Sequence, residues 1–154
     1  MRTTRTPHLC LNCNEALTGT ELYYSVNRLG HPLCPSCQQE LKSKLEHTSR
    51  ETVKLYFLLK QKGIAVELEK DDHYTTADIS IVSAKVNIEV SRPQTNYNRC
   101  EALADLKRTY YSFEKGYYTL RIPNALVAYD QDDAVSFIEE FLQVSCQPQS
   151  YYHC

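Results

Sequence analysis

Residues 77–91 read Ala-Asp-Ile-Ser-Ile-Val-Ser-Ala-Lys-Val-Asn-Ile-Glu-Val-Ser, and this stretch decides the fold. Apolar and polar residues alternate along each half, which predicts two strands with one buried face each. The apolar members of the two runs are Ala77, Ile79, Ile81, Val86, Ile88 and Val90. A tight turn at Ser83 and Ala84 would join the strands as a hairpin, although this pair lacks the Asn-Gly or Gly signals of a strong turn.

The hairpin register predicts a pair of facing carboxylates. With that turn, Val82 lies opposite Lys85, and the same register continues outward along both strands. Asp78 then lies opposite Glu89, at a Cβ separation of roughly 4.5–5.5 Å. Like charges directly opposite each other destabilise a sheet, and a divalent cation such as magnesium or calcium removes that penalty. The row is therefore either a metal site or a solvent-facing polar row on an antiparallel sheet.

Length and composition set the class of protein. The 154 residues suffice for one domain, or for one domain and a small module, and 42% apolar with 23% charged residues is typical of a globular chain. No stretch has the length of a membrane span, so a cytoplasmic protein with no membrane partner is the expectation. The pattern carries no signal for an oligomeric state.

The charge is unevenly distributed although the net charge is only −2. Residues 1–62 carry nine Lys and Arg against five Asp and Glu, a net charge of +4, and residues 63–154 carry eight against fourteen, a net charge of −6. An anionic partner would therefore bind the N-terminal half.

Four of the seven cysteines have the spacing of metal ligands. Cys10-x-x-Cys13 and Cys34-x-x-Cys37 are separated by twenty residues, which is typical of a structural zinc site with all four positions filled by thiolates. His8 and His31 are alternative ligands by residue type, but we expect both to be bystanders because the four cysteines already complete the set.

The chain around these cysteines resembles a treble-clef or zinc-ribbon module. We expect a strand over residues 21–27, a turn at residues 29–32, and a helix over residues 38–47 that follows the second cysteine pair. So short a segment has too little core to fold unaided, and zinc supplies on the order of 10–16 kcal/mol to such sites.

A second helix is expected over residues 49–62, with an apolar stripe that ends at Gly63. Glu51 lies on that stripe. Two compatible interpretations are a capping box with Thr48, and a place at the edge of a catalytic site. A first strand follows over residues 64–69.

The C-terminal half continues with a helix over residues 98–115, a strand over residues 117–122, a short strand over residues 125–129 and a helix over residues 134–144. We expect an inward apolar face on the first of these helices, made by Leu103, Leu106, Tyr110 and Phe113. The fold class is thus α/β, a mixed central sheet flanked by helices.

This order resembles the PD-(D/E)XK nuclease superfamily, and most closely its very-short-patch-repair-like branch. That branch has a Glu on its first helix and an Asp and a Glu on the hairpin, as Glu51, Asp78 and Glu89 are placed here. In the family, a helix with a D-x-x-R motif follows, and then a strand that reads Gly-hydrophobic-x-hydrophobic-Arg-hydrophobic. Residues 105–108 and 116–122 fit them.

The resemblance implies a restriction-endonuclease-like fold and magnesium-dependent cleavage of DNA. Asp78, Glu89 and the carbonyl of Val90 would hold magnesium, which activates water and stabilises charge on the scissile phosphate. Glu51 would act through a second metal ion or a bridging water.

One position departs from the family pattern. The usual lysine is replaced by Ser91, which can supply neither a positive charge nor a base. Lys107, or Lys85 on the same strand face, would have to substitute.

The sequence therefore predicts a zinc-binding module over residues 1–47, an endonuclease-like domain over residues 48–146 and a loosely ordered tail over residues 147–154. The favoured function is a metal-dependent nuclease that uses magnesium, with structural zinc and with DNA bound through the basic N-terminal half. The alternatives are a catalytically inactive nucleic-acid-binding module and a zinc-braced protein–protein adaptor.

Overall fold

The computed structural model describes residues 7–71, 76–91 and 98–145. A four-stranded mixed sheet in the order β1-β2-β3-β4 forms its centre. The first three strands are antiparallel neighbours and the fourth runs parallel to the third. The strands are β1 (Glu67–Asp71), β2 (Thr76–Ile81), β3 (Val86–Ser91) and β4 (Tyr118–Pro123).

The described residues also form six α-helices. They are α1 (Gly19–Leu29), α2 (Pro35–His47), α3 (Arg50–Gln61), α4 (Arg99–Glu114), α5 (Asn124–Tyr129) and α6 (Gln131–Ser145). α3 contacts the first three strands, and α4 contacts β4. The predicted α/β class, with helices flanking a mixed sheet, is confirmed.

The hairpin of β2 and β3 has the predicted register but a different turn. Ser80 pairs with Asn87, as expected. A short 3-10 helix over Val82–Ala84 and a left-handed Lys85, with φ of 53°, replace the two-residue turn. Val82 and Lys85 are therefore not a strand pair, although the Lys85 amide donates to Val82 O at 3.2 Å, as the predicted register requires.

Both faces of this hairpin are covered. The alternating apolar residues form the core on one face, as predicted, and Ile79 and Ile88 are fully buried. On the other face Ser80 is also fully buried and Asn87 is only 7% exposed. The interpretation of this row as solvent-facing is therefore wrong at its centre, since α4 covers it.

The N-terminal segment differs from the predicted strand over residues 21–27, because α1 occupies it. Thr18 and Glu21 form a capping box in which the Thr18 amide donates to Glu21 Oε2 at 2.8 Å. Gly30 ends the helix with a left-handed φ of 76°. These local signals outweigh the strand propensity of the Tyr-rich segment.

The start of α3 is also capped differently from the prediction. Its N-cap is Ser49, whose hydroxyl accepts from the Thr52 amide at 3.1 Å. Thr48 instead ends α2, and its hydroxyl donates to Glu69 Oε1 at 2.6 Å. The capping box of Thr48 with Glu51 is therefore wrong.

The C-terminal half contains two further corrections. The strand predicted over residues 125–129 is α5. The predicted inward face of α4 points outward, since Leu103, Leu106, Tyr110 and Phe113 are 50–74% exposed. The final helix is present as predicted, and its residues Val135 and Ile138 are buried.

Parts of the sequence interpretation fall outside the described residues. These are the loop after β3, residues 92–97, and the tail, residues 147–154. Within the part of the chain that is described, no helix combines the length and the apolar character that crossing a bilayer requires. The cytoplasmic location stays a prediction.

Candidate functional site

The four predicted zinc ligands converge. Their Sγ atoms all lie within 4.8 Å of one another, and those of Cys13 and Cys34 are 3.6 Å apart. A tetrahedral zinc ion with Zn–S bonds of about 2.3 Å separates its sulfur ligands by about 3.8 Å. The four thiols of Cys10, Cys13, Cys34 and Cys37 therefore fit one zinc ion. They are the one group of three or more such ligands gathered within ion-binding distance in the described chain.

The local backbone brings the two cysteine pairs together. The Cys10 amide donates to Glu15 O, and the Asn14 amide donates back to Cys10 O, so the first pair lies in a tight loop. Cys34 is the N-cap of α2 and Cys37 lies in its first turn, which orients the second pair toward that loop. The Asn12 side-chain amide donates to Cys37 Sγ at 3.3 Å and ties the two halves to each other.

The thiols differ in acidity because their surroundings differ. Burial by itself raises the pKa of Cys10, but hydrogen bonds from backbone amides, chiefly that of Cys34, outweigh it and lower the pKa to about 7. Burial raises the pKa of Cys34, and it raises the pKa of Cys37 to about 12. Binding of a cation that accepts thiolates would favour the deprotonated form of all four groups.

The cysteine cluster is joined to the rest of the fold. Cys10, Cys34 and Cys37 belong to the same buried cluster as the side chains of α3 and the sheet. The His31 ring packs on Phe57 with ring centroids 5.1 Å apart, and burial, followed by the nearby Arg50, lowers the pKa of His31. His31 thus packs against α3, which agrees with the expectation that it is not a metal ligand.

The second group of interest is the carboxylate pair on β2 and β3. The register that pairs Ser80 with Asn87 places Asp78 and Glu89 on the same face of neighbouring strands. Asp78 Oδ2 accepts a hydrogen bond of 2.9 Å from the Val90 amide. The Asp78 carboxylate is therefore held against the backbone next to Glu89.

A network of charged side chains extends from Glu89 to α4. Arg121 lies opposite Glu89 in the parallel register, with Nη1 3.2 Å from Glu89 Oε2 and 3.1 Å from Asp105 Oδ2. Arg121 Nη2 donates to Thr109 Oγ1, and Arg108 Nη2 donates to Asp105 Oδ1, both at 2.8 Å. The sheet and α4 thus share one alternating set of acids and guanidinium groups.

The environment favours the protonated form of Glu89. Burial raises its pKa, and nearby Asp105 and Asp78 act in the same direction. Arg121 and Arg108 partly oppose this and do not cancel it. A carboxylate in such a place gains from any further cation, because the added positive charge favours its ionised form.

A strained residue lies beside the pair. In the register of β1 with β2, Glu69 lies opposite Asp78. Its φ is 46°, a left-handed conformation that is uncommon for a residue other than glycine. The Thr48 hydroxyl, just before α3, binds its carboxylate. This contact brings the start of α3 to the strand next to Asp78. Glu51 is half-buried in the first turn of α3, and its role in the site stays a prediction.

The predicted lysine substitutes lie in different places from the pair. Lys85 precedes β3, and its Nζ lies over Gly116, near the beginning of β4. Lys107 is exposed on α4, about 200° around the helix from Asp105. Ser91 ends β3, and its hydroxyl donates to Ile122 O at 3.4 Å. Among the described residues, the cation in ion-pair contact with Glu89 is Arg121.

Sequence reasoning placed Asp105, Arg108 and Arg121 in the helix and strand motifs of the family without giving them a role in the site, and it did not single out Thr109. A charged residue at the centre of an otherwise apolar strand was the available signal for Arg121. Its partner became apparent only with the parallel register of β3 and β4, which the pattern of one strand does not contain.

Comparison with known proteins finds a similar structure but no similar sequence. No protein-family model matches the chain, and no curated protein matches it. Among solved structures, the chain is similar to one titled "Homing Endonuclease I-Bth0305I Catalytic Domain". The TM-score is 0.52 at 16% identity, over 65% of this chain and 100% of that chain. At this identity the likeness shows the fold alone.

The protein therefore has an endonuclease-like α/β fold, with a cluster of four cysteines near its N-terminus that fits a zinc ion. The predicted fold class is confirmed.

Proposed function

We propose that this protein is a magnesium-dependent nuclease that hydrolyses phosphodiester bonds in DNA. The observation that carries the proposal is the convergence of Asp78 and Glu89 from neighbouring strands, with Asp78 held by the Val90 amide. The endonuclease-like fold supports it.

The donors suit a hard divalent cation. Magnesium in nucleotide-processing enzymes is held by one or two carboxylates, with further ligands from water and substrate phosphates. Asp78 and Glu89 would provide the two carboxylates, and the carbonyl of Val90 a third oxygen. When bound, the ion lowers the pKa of a water ligand and stabilises the negative charge that develops on the phosphate.

Arg121 would supply the positive charge that Ser91 lacks. Its guanidinium is already 3.2 Å from Glu89, and it remains protonated throughout the pH range of proteins. It can therefore neutralise Glu89 or bind a phosphate oxygen, but it cannot remove a proton from water. Glu51 stays in the proposal as a candidate for positioning the attacking water, whereas Ser91 could only hydrogen-bond that water and Lys107 lies away from the carboxylate pair.

The finer family assignment is also a proposal. The D-x-x-R residues Asp105 and Arg108 lie in one network with Arg121 from the next strand, which favours the very-short-patch-repair-like branch. We further propose that the cysteines form a zinc-bound, treble-clef-like brace, since Cys34 and Cys37 open α2. The module would have a strand where this chain has α1, and in this respect the chain differs from it.

DNA would bind through the N-terminal half, which carries the positive charge. In the described part of this half, four cations follow the cysteine module, at Arg50, Lys54, Lys60 and Lys62. The module itself is not basic, because residues 7–47 carry three Lys and Arg against four Asp and Glu. We therefore assign the phosphate contacts to α3 and the residue after it.

A cleavage assay tests the proposal. The zinc-loaded chain is incubated with duplex DNA and magnesium, alongside Asp78→Asn, Glu89→Gln and the control Glu67→Gln. Glu67 is an exposed carboxylate on β1 that pairs with Lys70, so the control removes a charge from the same sheet. Cleavage by wild type and Glu67→Gln, with a loss of at least about 100-fold in the two site variants, is expected. Equal background activity in all four proteins would end the enzyme proposal.

One observation favours a second function. Glu89 already has a cationic partner in Arg121, and the usual lysine position is Ser91, so the fold would suit nucleic-acid binding without cleavage. Saturable DNA binding with no metal-dependent products would support this inactive module. An absence of both binding and cleavage would support the zinc-braced adaptor.

A further inference from the structure

α4 presents a line of large apolar side chains to solvent. Leu103, Leu106, Tyr110 and Phe113 are 50%, 66%, 57% and 74% exposed. Their spacing of three, four and three residues is the a and d spacing of two heptads. A strict line of this kind is typical of a helix that packs against one other helix, whereas a helix on a globular core has a wider apolar face.

The hydrogen-bonded contact of α4 with its own sheet is made by another side of the helix. That contact uses the polar side of the helix, where Ser112 accepts from Asn87 Nδ2 at 3.4 Å and Thr109 accepts from Arg121. Because the sheet offers buried polar groups here, the polar side of α4 must face it. The apolar line therefore lies on a side of α4 that does not face the sheet.

The exposed area is large for a single chain. Four such side chains, exposed by half to three quarters, leave about 400–500 Å² of apolar surface in water. This lies within the range of roughly 300–600 Å² for the largest apolar patch on a monomer, and such patches are often binding surfaces. It amounts to about half of the roughly 800 Å² per partner that a standard interface buries.

We propose that this line is the interface for a second copy of the chain, with the two α4 helices antiparallel about a two-fold axis near residue 108. Both aliphatic residues lie in the first half of the line and both aromatic residues in the second. The antiparallel arrangement therefore packs Leu103 against Phe113 of the second copy and Leu106 against Tyr110 of the second copy. Every layer then combines one aliphatic and one aromatic residue, whereas a parallel pair would stack aromatic layers at one end.

The flanking charges are consistent with this alignment at the ends of the helix. It brings Glu114 near Arg99 of the second copy, and both are exposed. Opposite helix directions also place each helix N-terminus beside the C-terminus of its neighbour, which is electrostatically favourable. Lys107 lies close to its own copy across the axis, and this like-charge contact opposes association at the centre of the helix pair.

Sedimentation equilibrium of the full zinc-loaded chain tests the proposal. Wild type is compared with Leu106→Glu, with Phe113→Glu and with the control Ala104→Glu, which adds the same charge at an exposed position on another side of α4. Wild type and Ala104→Glu should reach twice the 17.8 kDa of one chain by about 100 µM. Each line variant should weaken association by at least about 30-fold.

Thermal unfolding at low protein concentration separates lost association from lost folding. Because both residues are exposed in the single chain, the variants should keep the wild-type melting temperature of the monomer. If Leu106→Glu fails to fold, Phe113→Glu, at the most exposed position, decides. A wild-type chain that stays monomeric, or a dimer that both line variants leave intact, would overturn the proposal. Either result is independent of nuclease activity.

Discussion

Replacing Asn87 by alanine tests the least expected feature of the sheet, its buried polar row. Asn87 Oδ1 accepts from the Ser80 hydroxyl at 2.8 Å, and its Nδ2 donates to Ser112 at 3.4 Å. Ser80 is fully buried and Ser112 is 6% exposed. Asn87→Ala would leave the hydroxyl groups of Ser80 and Ser112 without this partner. The loss of a well-made buried hydrogen bond lowers the free energy of unfolding by about 1–3 kcal/mol, and the loss of the longer bond lowers it by less.

The expected loss in the free energy of unfolding is about 3 kcal/mol. For a chain of this length it corresponds to a fall in melting temperature of roughly 6–12 °C. Differential scanning calorimetry of the zinc-loaded protein measures it. Hydrogen exchange should also accelerate along α4, because Asn87 joins that helix to the sheet.

Asn27→Ala is the matched control. Asn27 also donates through its side-chain amide, to Tyr23 O at 2.8 Å, but it is exposed on α1. Its substitution should change the stability by no more than about 0.5 kcal/mol. If Asn87→Ala melts within about 2 °C of wild type, the row is not buried and the placement of α4 is wrong.

Three further predictions concern the cysteines, Glu89 and Gly116. Cys13→Ser should lower the zinc content from one ion per chain, measured by mass spectrometry of the metal, and lower the melting temperature, since it removes one of four ligands. Because the folded pKa of Glu89 is raised, the stability that its protonated form provides is complete below the ordinary pKa of 4.5 and is lost as the pH rises through the folded value. Glu89→Gln should therefore become more stable relative to wild type across that window, and a constant difference in melting temperature between pH 4 and pH 8 would contradict the shift. Gly116→Ala should lower stability by about 1–2 kcal/mol in urea denaturation, because φ at this position is +79°.

The hairpin shows what alternation in a sequence can predict. The period of two identified the buried face and the register of Ser80 with Asn87, since both depend on local spacing. The turn was predicted incorrectly, because Ser83 and Ala84 carry no strong turn signal and a 3-10 helix fits the same gap.

α1 and α4 show two different limits. For α1 the helix signals were present in the sequence, in the Thr18 and Glu21 capping box and in Gly30, but the Tyr-rich segment was interpreted by its strand propensity. For α4 the helix was predicted and its orientation was wrong. Periodicity identifies an apolar side, but the polar groups of the opposing sheet determine which side faces inward, and these become known only in three dimensions.

The candidate site was likewise predictable in part. The cysteine spacing was sufficient to predict the cluster, and the hairpin register predicted the proximity of Asp78 and Glu89. Arg121 could not be placed beside Glu89 without the parallel pairing of β3 with β4, which joins residues 32 positions apart.

The most direct test of the central claim is the binding of a divalent cation by Asp78 and Glu89. Manganese suits the same oxygen ligands as magnesium, and its electron paramagnetic resonance signal reports the fraction that is free in solution. We predict that the zinc-loaded protein and Glu67→Gln bind one manganese ion with the same affinity, and that Asp78→Asn and Glu89→Gln lose this binding. Equal manganese binding by all four proteins, or binding by none of them, would contradict the account.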